Sequence, residues 1–361
     1  MRVAILSNLY PPYSYGGAEQ AAYAQAKKLQ EEGNEVFVIT LKHYKDVPCK
    51  LARYVLVIEL PHKNIFNYYD IAKKPAWLRF LWHIIDTFNF WLANDIKKIL
   101  EHEKPDLVIM HNMKGLSFLT PFKIQNLSRA KSRDLKIHLV VHDVSLYTPS
   151  GLIEWGKEDA WEHTGVLTRI YRFLTRRLMG YPEKVFFPSA WLLNFYRKNG
   201  FFTHQEKIYK PNEIDFQSTI NNQQSTINSF LFVGKLERHK GILLLLDAFQ
   251  NVESSTLNIV GDGSLMPELK NRAQNNPNIK IHGQVPREEL KKFYSRAKAV
   301  IVPSIVYENA PNVVYEALSC GASVIVSRIG GAHEPVREGK NGYTFEPGNI
   351  NELAEKMKKY L

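Results

Sequence analysis

Short apolar runs alternate with amphipathic stretches along the first half of the chain. Five of these runs predict buried strands, at residues 3–9, 35–40, 106–111, 137–143 and 184–189. Between the first two, residues 18–33 have the spacing of an amphipathic helix that ends at Gly33. Strands that alternate with helices in this way predict a parallel, doubly wound sheet.

The alternation restarts after a polar segment rich in Asn, Gln and Ser, which predicts a linker at 216–228. Five more strands are predicted beyond it, at 229–234, 256–261, 279–283, 299–304 and 323–327. We therefore expect an α/β protein with two doubly wound, Rossmann-like domains, at 1–215 and 229–361, facing each other across a cleft. In such sheets, ligands bind at the carboxyl ends of the strands.

Composition narrows the class of protein. The chain has 361 residues, 45% of them apolar, and this fits two globular domains. Cys49 and Cys320, the two cysteines, lie far apart without histidines at metal spacing, which favours a reducing compartment over a disulfide or zinc framework. The first residues predict a strand rather than a signal peptide, and no run approaches the roughly 20 apolar residues of a membrane span. These features predict a cytoplasmic protein.

The formal net charge of +11 is concentrated before residue 216. A basic surface attracts nucleic acids, anionic lipids and phosphorylated substrates without choosing among them. Residues 73–98 carry three tryptophans and three phenylalanines between lysine pairs, and residues 169–178 are basic and amphipathic. These segments predict either contact with an anionic membrane or aromatic packing inside the first domain, and the sequence slightly favours packing.

Two glutamates stand eight residues apart around Pro311. Proline is tolerated at the first helical position and pushes the residue before it out of the helical region. Glu308 is therefore predicted in a loop, and Glu316 in a helix that spans about 311–319. An isolated pair of this kind is usually a pair of solvated charges.

The start of that helix is a candidate anion site. Ala310 would occupy the cap position, and its side chain offers no oxygen to the backbone donors at Asn312 and Val313. Free donors and the positive end of the helix dipole favour a group such as phosphate.

Three glycine-containing loops and two histidines also follow predicted strands. Gly16 and Gly17 open the first helix, while Lys235 and Lys240 follow the first strand of the second domain. Gly261 stands in the sequence IVGDGS at another strand end. Each of these loops by itself is most simply a turn or a solvated basic loop. His111 and His142 stand at the ends of adjacent predicted strands, and their pairing raises the chance of a functional role.

Taken together, these segments resemble the retaining GT-B glycosyltransferases of glycosyltransferase family 4. The resemblance covers nearly all of the second domain and the first strand-helix-strand unit. Its matching segments are residues 11–40, 232–249, 258–264, 281–304 and 307–349.

The resemblance implies a reaction and roles for individual residues. A sugar would pass from a nucleoside-diphosphate sugar to a glycan or lipid-linked acceptor, in polysaccharide or glycolipid synthesis, with no further cofactor. Glu308, His111 and Lys240 would be catalytic, with Glu308 contacting sugar hydroxyls and His111 facing the sugar. Glu316 would bind the ribose hydroxyls. Donor-binding positions would be Gly16, Gly17, Lys235, Lys240, Gly261, Val285, Ala310, Asn312, Val313 and Glu316.

No catalytic metal is expected, because the sequence contains no Asp-x-Asp pair; Glu213 and Asp215 near the linker are a weak substitute. Fixed positive groups would instead stabilise the leaving diphosphate. The chain departs from the family pattern in having Lys235 where arginine is usual, which loses the fork geometry. It also stops before the helix with which many relatives cross back to the first domain.

Two other kinds of function remain open. One is a related protein of the same fold, either a nucleotide-sugar epimerase or a non-catalytic relative that binds sugar nucleotides. The other is a nucleic-acid binder, which charge alone suggests and no recognised motif supports. The donor base, the sugar and the acceptor are not specified by these residues.

Overall fold

The computed structural model describes residues 1–11, 16–43, 55–130, 135–212, 229–274 and 276–361. The chain forms two compact units. The first comprises Met1–Gly151 and Ala160–Glu213, and the second comprises Leu152–Asp159 and Ile214–Leu361. The predicted linker at 216–228, together with Cys49, Glu213 and Asp215, lies outside the described residues.

The first unit contains a parallel sheet in the order β3-β2-β1-β4-β5-β6-β7. Its strands are β1 (Arg2–Leu6), β2 (Glu35–Leu41), β3 (Leu56–Leu60), β4 (Leu107–Met110), β5 (Lys136–Val140), β6 (Lys184–Phe187) and β7 (Glu206–Tyr209). The five predicted strands are confirmed. Sequence reasoning missed β3 and β7, which are half-exposed edge strands. β3 contains the apolar run Leu56–Ile58, so that signal was available, whereas β7 has no such run.

Helices cover this sheet. They are α1 (Gly17–Glu31), α2 (Ala76–Thr87), α3 (Phe90–Glu103), α4 (Leu119–Ala130), α5 (Trp161–Thr164), α6 (Val166–Leu178) and α7 (Ala190–Lys198). One core cluster packs Ala22 and Ala26 of α1 against Val3 and Ile5 of β1. The predicted first helix is confirmed, and Gly33 follows it with a φ of 84° that favours glycine.

The second unit contains a parallel sheet in the order β10-β9-β8-β11-β12-β13. Its strands are β8 (Ser229–Val233), β9 (Thr256–Val260), β10 (Ile279–Gly283), β11 (Ala299–Val302), β12 (Ser323–Ser327) and β13 (Gly342–Phe345). Its helices are α8 (Ile242–Phe249), α9 (Met266–Gln274), α10 (Arg287–Arg296), α11 (Asn312–Ser319) and α12 (Ile350–Lys358). The five predicted strands are again confirmed, and β13 was not predicted.

Both sheets reverse their strand order at one point, between β1 and β4 in the first and between β8 and β11 in the second. Open α/β sheets bind ligands at the carboxyl ends of the strands beside such a reversal. His111 directly follows β4, and the loop with Glu308 follows β11. The fold therefore places His111 and Glu308 at the edges where sheets of this class form binding sites.

The start of α11 differs by one residue from the prediction. Pro311, rather than Ala310, occupies the cap position, and Asn312 is the first helical residue. Pro311 has a ψ of 119°, which is extended rather than helical. The expectation that no side chain caps this helix is confirmed.

The expectation that the aromatic residues of 73–98 pack inside the first domain is wrong for most of them. Trp77 and Trp91 are 67% and 70% exposed, whereas Trp82 is buried. The reason is that α2 turns its polar Asp86 inward and its apolar stripe outward.

Candidate active site

Glu308 lies in the loop between β11 and α11, where three other segments hold it. Its Oε1 atom lies 2.5 Å from Nζ of Lys240 and accepts a hydrogen bond of 2.8 Å from the hydroxyl of Ser304. Its backbone carbonyl accepts the Gly331 N–H at 2.8 Å. A Cβ on Gly330 would stand 2.1 Å from that carbonyl oxygen, so the close approach requires glycine there.

These contacts keep Glu308 charged. Burial acts to raise the pKa of its carboxyl, but the ion pair with Lys240 and the donors on Lys240 and Ser304 bring it below the usual range. The predicted catalytic pair Glu308 and Lys240 is thus brought together, as a carboxylate and an ammonium in direct contact.

The loop after β8 is locked to the loop after β11. The Ile305 N–H donates to the carbonyl of His239 at 3.0 Å. A Cβ on Gly241 would stand 1.8 Å from the carbonyl oxygen of Pro303. Lys235, in contrast, is exposed and extends from the start of the same loop. Burial is the main cause that lowers the pKa of His239, and the positive charges of Lys240 and Lys235 lower it further. Both lysines therefore act on the same side chain.

Glu316 lies on the buried side of α11. Its carboxylate accepts one hydrogen bond from Arg287 and one from the hydroxyl of Tyr294, each of 2.9 Å and each to a different oxygen. Burial raises the pKa of Glu316, and Arg287 and Tyr294 oppose that effect only in part. Each carboxylate oxygen keeps a second lone pair for a further donor.

Backbone atoms meet closely at the ends of β8, β9 and β10. Gly261 has a φ of 140°, and its N–H donates to the carbonyl of Gly283 at 2.8 Å. A Cβ on Gly261 would stand 1.8 Å from the carbonyl oxygen of Gly234. Val285 follows Gly283 and packs, half-buried, on the apolar cluster under α10. Gly261 is therefore required by backbone packing, whatever it also contacts.

In the first unit, His111 and His142 lie at the ends of the adjacent strands β4 and β5, as predicted. Nδ1 of His111 lies 2.9 Å from Nε2 of His142, and the two rings stack at 5.2 Å. Burial lowers the pKa of both, to about 4 for His142 and well below its usual value for His111, where His142 adds to the effect. The pair is therefore neutral at pH 7. Nε2 of His111 is buried without a hydrogen-bond partner among the described residues.

Two small cavities in the first unit share His111 as a lining residue. Their volumes are about 20 and 30 Å³, enough for a water molecule each but too small for a sugar. Asp143 and Asn112 line one of them, and Gln25 and Lys210 line the other.

Gly16 is the cap residue of α1 and Gly17 its first residue, as expected. A Cβ on Gly16 would stand 3.1 Å from a carboxylate oxygen of Glu19, which is buried in the first turn of α1. The close carboxylate gives Gly16 a structural reason of its own.

Arg287, Tyr294, Ser304 and Gly330 are the site residues that sequence reasoning missed. The pair Gly330-Gly331 lies just beyond Arg328 and Ile329 at the end of a predicted strand, and that signal was available. The other three stand in ordinary helical or loop contexts, and only the fold brings them to the two glutamates.

The described residues contain no group of three or more His, Cys, Asp or Glu side chains that could hold a metal ion. In the same part of the chain, no helix has both the length and the apolar character needed to span a membrane.

Comparison with known proteins decides the family. Residues 15–209 match the model of "Glycosyltransferase Family 4", and residues 227–361 match that of "Glycosyl transferases group 1". The chain belongs to glycosyltransferase family 4. Its two Rossmann-like sheets are those of the GT-B fold.

Individual family members agree with this placement. The chain is 33% identical over 292 residues to an uncharacterized glycosyltransferase of Methanocaldococcus jannaschii, covering 76% of this chain and 78% of that one. It is 22% identical to a putative teichuronic acid biosynthesis glycosyltransferase of Bacillus subtilis, covering 100% and 89%. Among solved structures, Anabaena HepE in complex with UDP and glucose superposes with a TM-score of 0.70 at 19% identity, covering 99% and 89%.

Proposed function

We propose that this glycosyltransferase moves a hexose-type sugar, with retention of configuration, from a nucleoside-diphosphate sugar to a glycan or lipid-linked acceptor. Synthesis of a cell-surface polysaccharide or glycolipid is the proposed context, and the named Bacillus relative supports it. The observation that carries the proposal is the charged cluster of Glu308, Lys240 and Ser304 where the second sheet reverses its order.

The donor is proposed to bind along the carboxyl edge of the second sheet. Glu316, held by Arg287 and Tyr294, retains acceptor capacity for the two ribose hydroxyls. The start of α11, with Lys235 and Lys240, would hold the diphosphate. Ala310 and Val285 would line the site near the sugar and the base, and Gly16, Gly17 and Gly261 would contribute backbone. UDP is the first nucleotide to test, because the solved HepE complex contains it.

The proposed chemistry relies on charge rather than on a strong base. As the bond between sugar and phosphate breaks, negative charge develops on the leaving diphosphate, and fixed cations aimed at it lower the barrier. The acceptor hydroxyl passes its proton to the leaving phosphate on the same face. His111, neutral at pH 7, would act as a hydrogen-bonding group toward the sugar. No metal is assigned a role, since Lys235, Lys240 and the helix start supply positive charge.

The first unit supports a lipid-linked acceptor through two helices whose apolar faces point outward. On α2 the exposed stripe consists of Trp77, Phe80, Leu81 and Ile84. On α6 it consists of Val166, Leu167, Ile170 and Phe173, beside the exposed Arg169, Arg176 and Arg177. An amphipathic helix with an apolar stripe and a basic border suits an anionic membrane surface.

A donor screen tests the function. The purified chain is incubated with UDP-, GDP- and ADP-sugars, and release of free nucleoside diphosphate is measured with and without candidate lipid-linked and soluble acceptors. We expect release to depend on one base and to increase with acceptor. Nucleotide binding without any release would favour a non-catalytic relative, and interconversion of sugars would favour an epimerase.

A further inference from the structure

The inward faces of α2 and α6 carry buried polar groups, which in α2 lie beside the buried Trp82, and this departs from an ordinary surface helix. Asp86 and Thr87 of α2 are buried, as are Thr168 and Thr175 of α6. Buried polar groups need partners, and a buried carboxylate without them is costly. The hydroxyls of Thr87 and Thr168 donate to the carbonyls of His83 and Glu162. Asp86 and Thr175 instead bind backbone atoms of two loops.

Asp86 holds the loop that follows β4. Its Oδ2 accepts the Gly115 N–H at 2.9 Å, and its Oδ1 accepts the Ser117 N–H at 3.4 Å. Both loop residues have positive φ angles, 98° for Gly115 and 67° for Ser117. A non-glycine residue in that region persists only where its surroundings hold it there. Asp86 is the side chain that supplies this restraint from α2.

Helix α6 holds the loop that follows β5 in the same way. The Tyr171 hydroxyl donates to the carbonyl of Ser145 at 2.5 Å, and the Thr175 hydroxyl donates to that of Leu146 at 2.7 Å. Nε of Arg172 donates to the carbonyl of Tyr147 at 3.1 Å. These three consecutive carbonyls are thus fixed by one face of one helix.

The two restrained loops begin at the two stacked histidines. Residues 112–118 follow His111, and residues 143–147 follow His142. The loops also meet through α6, because the ring of Phe118 contacts that of Tyr171 at 6.3 Å. Helix α2 is therefore hydrogen-bonded to the loop that follows His111, and helix α6 to the loop that follows His142.

Resting on the proposed function, we propose that Asp86 and Thr175 are positioning residues that couple lipid docking on α2 and α6 to the loops beside His111 and His142. Lipid contact on the outer stripe restrains each helix as a body. The hydrogen bonds on its inner face then restrain the loop behind it. The occupant is an anionic lipid surface, which the basic residues beside the α6 stripe complement.

Hydrogen exchange followed by mass spectrometry tests this without donor or acceptor. The full chain is compared in buffer, with phosphatidylcholine vesicles, and with vesicles containing roughly one-third phosphatidylglycerol. We expect the anionic vesicles to slow exchange in 112–118 and 143–147 by about fivefold, the factor that about 1 kcal/mol of local stability produces. Neutral vesicles should change neither loop.

Two variants separate coupling from simple structural damage. Asp86→Ala should lose the lipid effect in 112–118 and keep it in 143–147. Thr175→Val should weaken the effect in 143–147, where Tyr171 and Arg172 still donate, and keep it in 112–118. Asp86→Asn, which retains an acceptor oxygen, should recover part of the effect. The double variant Trp77→Ser and Phe173→Ser, which leaves every inner hydrogen bond in place, should lose it in both loops.

The idea is overturned if anionic vesicles bind the chain but leave both loops unchanged, or if they do not bind at all. It is equally overturned if the two loops respond together in every variant, or if protection rises with protein concentration alone, which would indicate a second copy on this surface. A chain that shows the lipid effect but releases no nucleotide would contradict the proposed function and leave the coupling intact.

Discussion

The carboxylate of Glu308 and the ammonium of Lys240 lie 2.5 Å apart and join the loops after β11 and β8. These are the two strands between which the second sheet reverses its order. The ion pair therefore lies at the edge of the sheet where a ligand is expected, and it consists of two of the three side chains proposed to be catalytic.

A double-mutant cycle should show that this pair is strongly coupled. Lys240→Met leaves a buried carboxylate with Ser304 as its remaining side-chain donor, so we expect a loss of stability on the order of 1–3 kcal/mol. Adding Glu308→Gln should restore part of it, because the uncompensated charge is gone. Urea unfolding of the four proteins measures the coupling, and strictly additive losses would contradict it.

Glu316 and Glu308 should affect different steps. Glu316→Ala is expected to weaken binding of free nucleoside diphosphate, because a ribose contact acts in ground and transition states alike. Glu308→Ala should chiefly lower turnover. Tyr294→Phe, which removes one donor and keeps the carboxylate, should weaken binding by about fivefold, or about 1 kcal/mol. Calorimetry with UDP distinguishes the three, and equal deficits for both glutamate variants would refute the division.

Turnover should persist in excess EDTA. The reason is that Lys235, Lys240 and the start of α11 supply the positive charge that a divalent ion provides in other transferases. The measurement is nucleotide release with and without chelator. Complete loss that magnesium or manganese restores would show that the stabilising groups have been misassigned.

Anionic liposomes should sediment the protein, less so at high salt. Arg169, Arg176 and Arg177 are exposed on α6, and replacing all three with glutamate should release it, since each basic residue contributes about 1 kcal/mol. Arg172 is left out of the set, because its contacts with the carbonyl and ring of Tyr147 are partly buried, whereas the hydrogen bonds of Arg169 to Thr164 and of Arg176 to Asn199 are exposed.

A matched control variant makes the same change in net charge, but in the second unit. Lys270, Lys340 and Lys358 are exposed in the second unit, and their replacement with glutamate should leave sedimentation nearly unchanged. If both triple variants lose binding equally, net charge alone would explain it. If the unaltered protein stays in solution at low salt, a soluble acceptor becomes the better hypothesis.

Asp86 should make stability depend on pH. Burial raises its pKa to about 7, although the Gly115 and Ser117 N–H groups and Lys114 oppose this. Tyr68 and Tyr171, whose fields also reach Asp86, stay neutral because burial raises their pKa. A raised acid pKa contributes stability that is complete below pH 4 and is lost as pH rises through 7.

The free energy of unfolding should therefore fall between pH 4 and 7 by more in the natural protein than in Asp86→Asn. The difference is expected to be on the order of 1–4 kcal/mol. Chemical unfolding at several pH values measures it. Parallel curves for the two proteins would show that Asp86 titrates like an exposed carboxyl.

The sequence by itself determined the layered α/β architecture and the place of the key loops. Buried parallel strands are short apolar runs, so the nine inner strands of the described part of the chain were visible, as was the edge strand β10, while the edge strands β3, β7 and β13 were not. The spacing of Glu308, Pro311 and Glu316 likewise placed one glutamate in a loop and one in a helix, because proline constrains its neighbours locally.

Tertiary structure decided what each side chain contacts. Arg287 and Tyr294 reach Glu316 from 29 and 22 residues away, a relation that no local pattern encodes. It also decided which face of α2 is buried. Periodicity shows that a helix has an apolar stripe. It does not show which face the helix buries, because that depends on the groups that neighbouring segments present to it. Here the loop at Gly115 and Ser117 presents N–H groups that need the carboxylate of Asp86, and satisfying them turns the stripe that begins at Trp77 outward, while Trp82 stays buried.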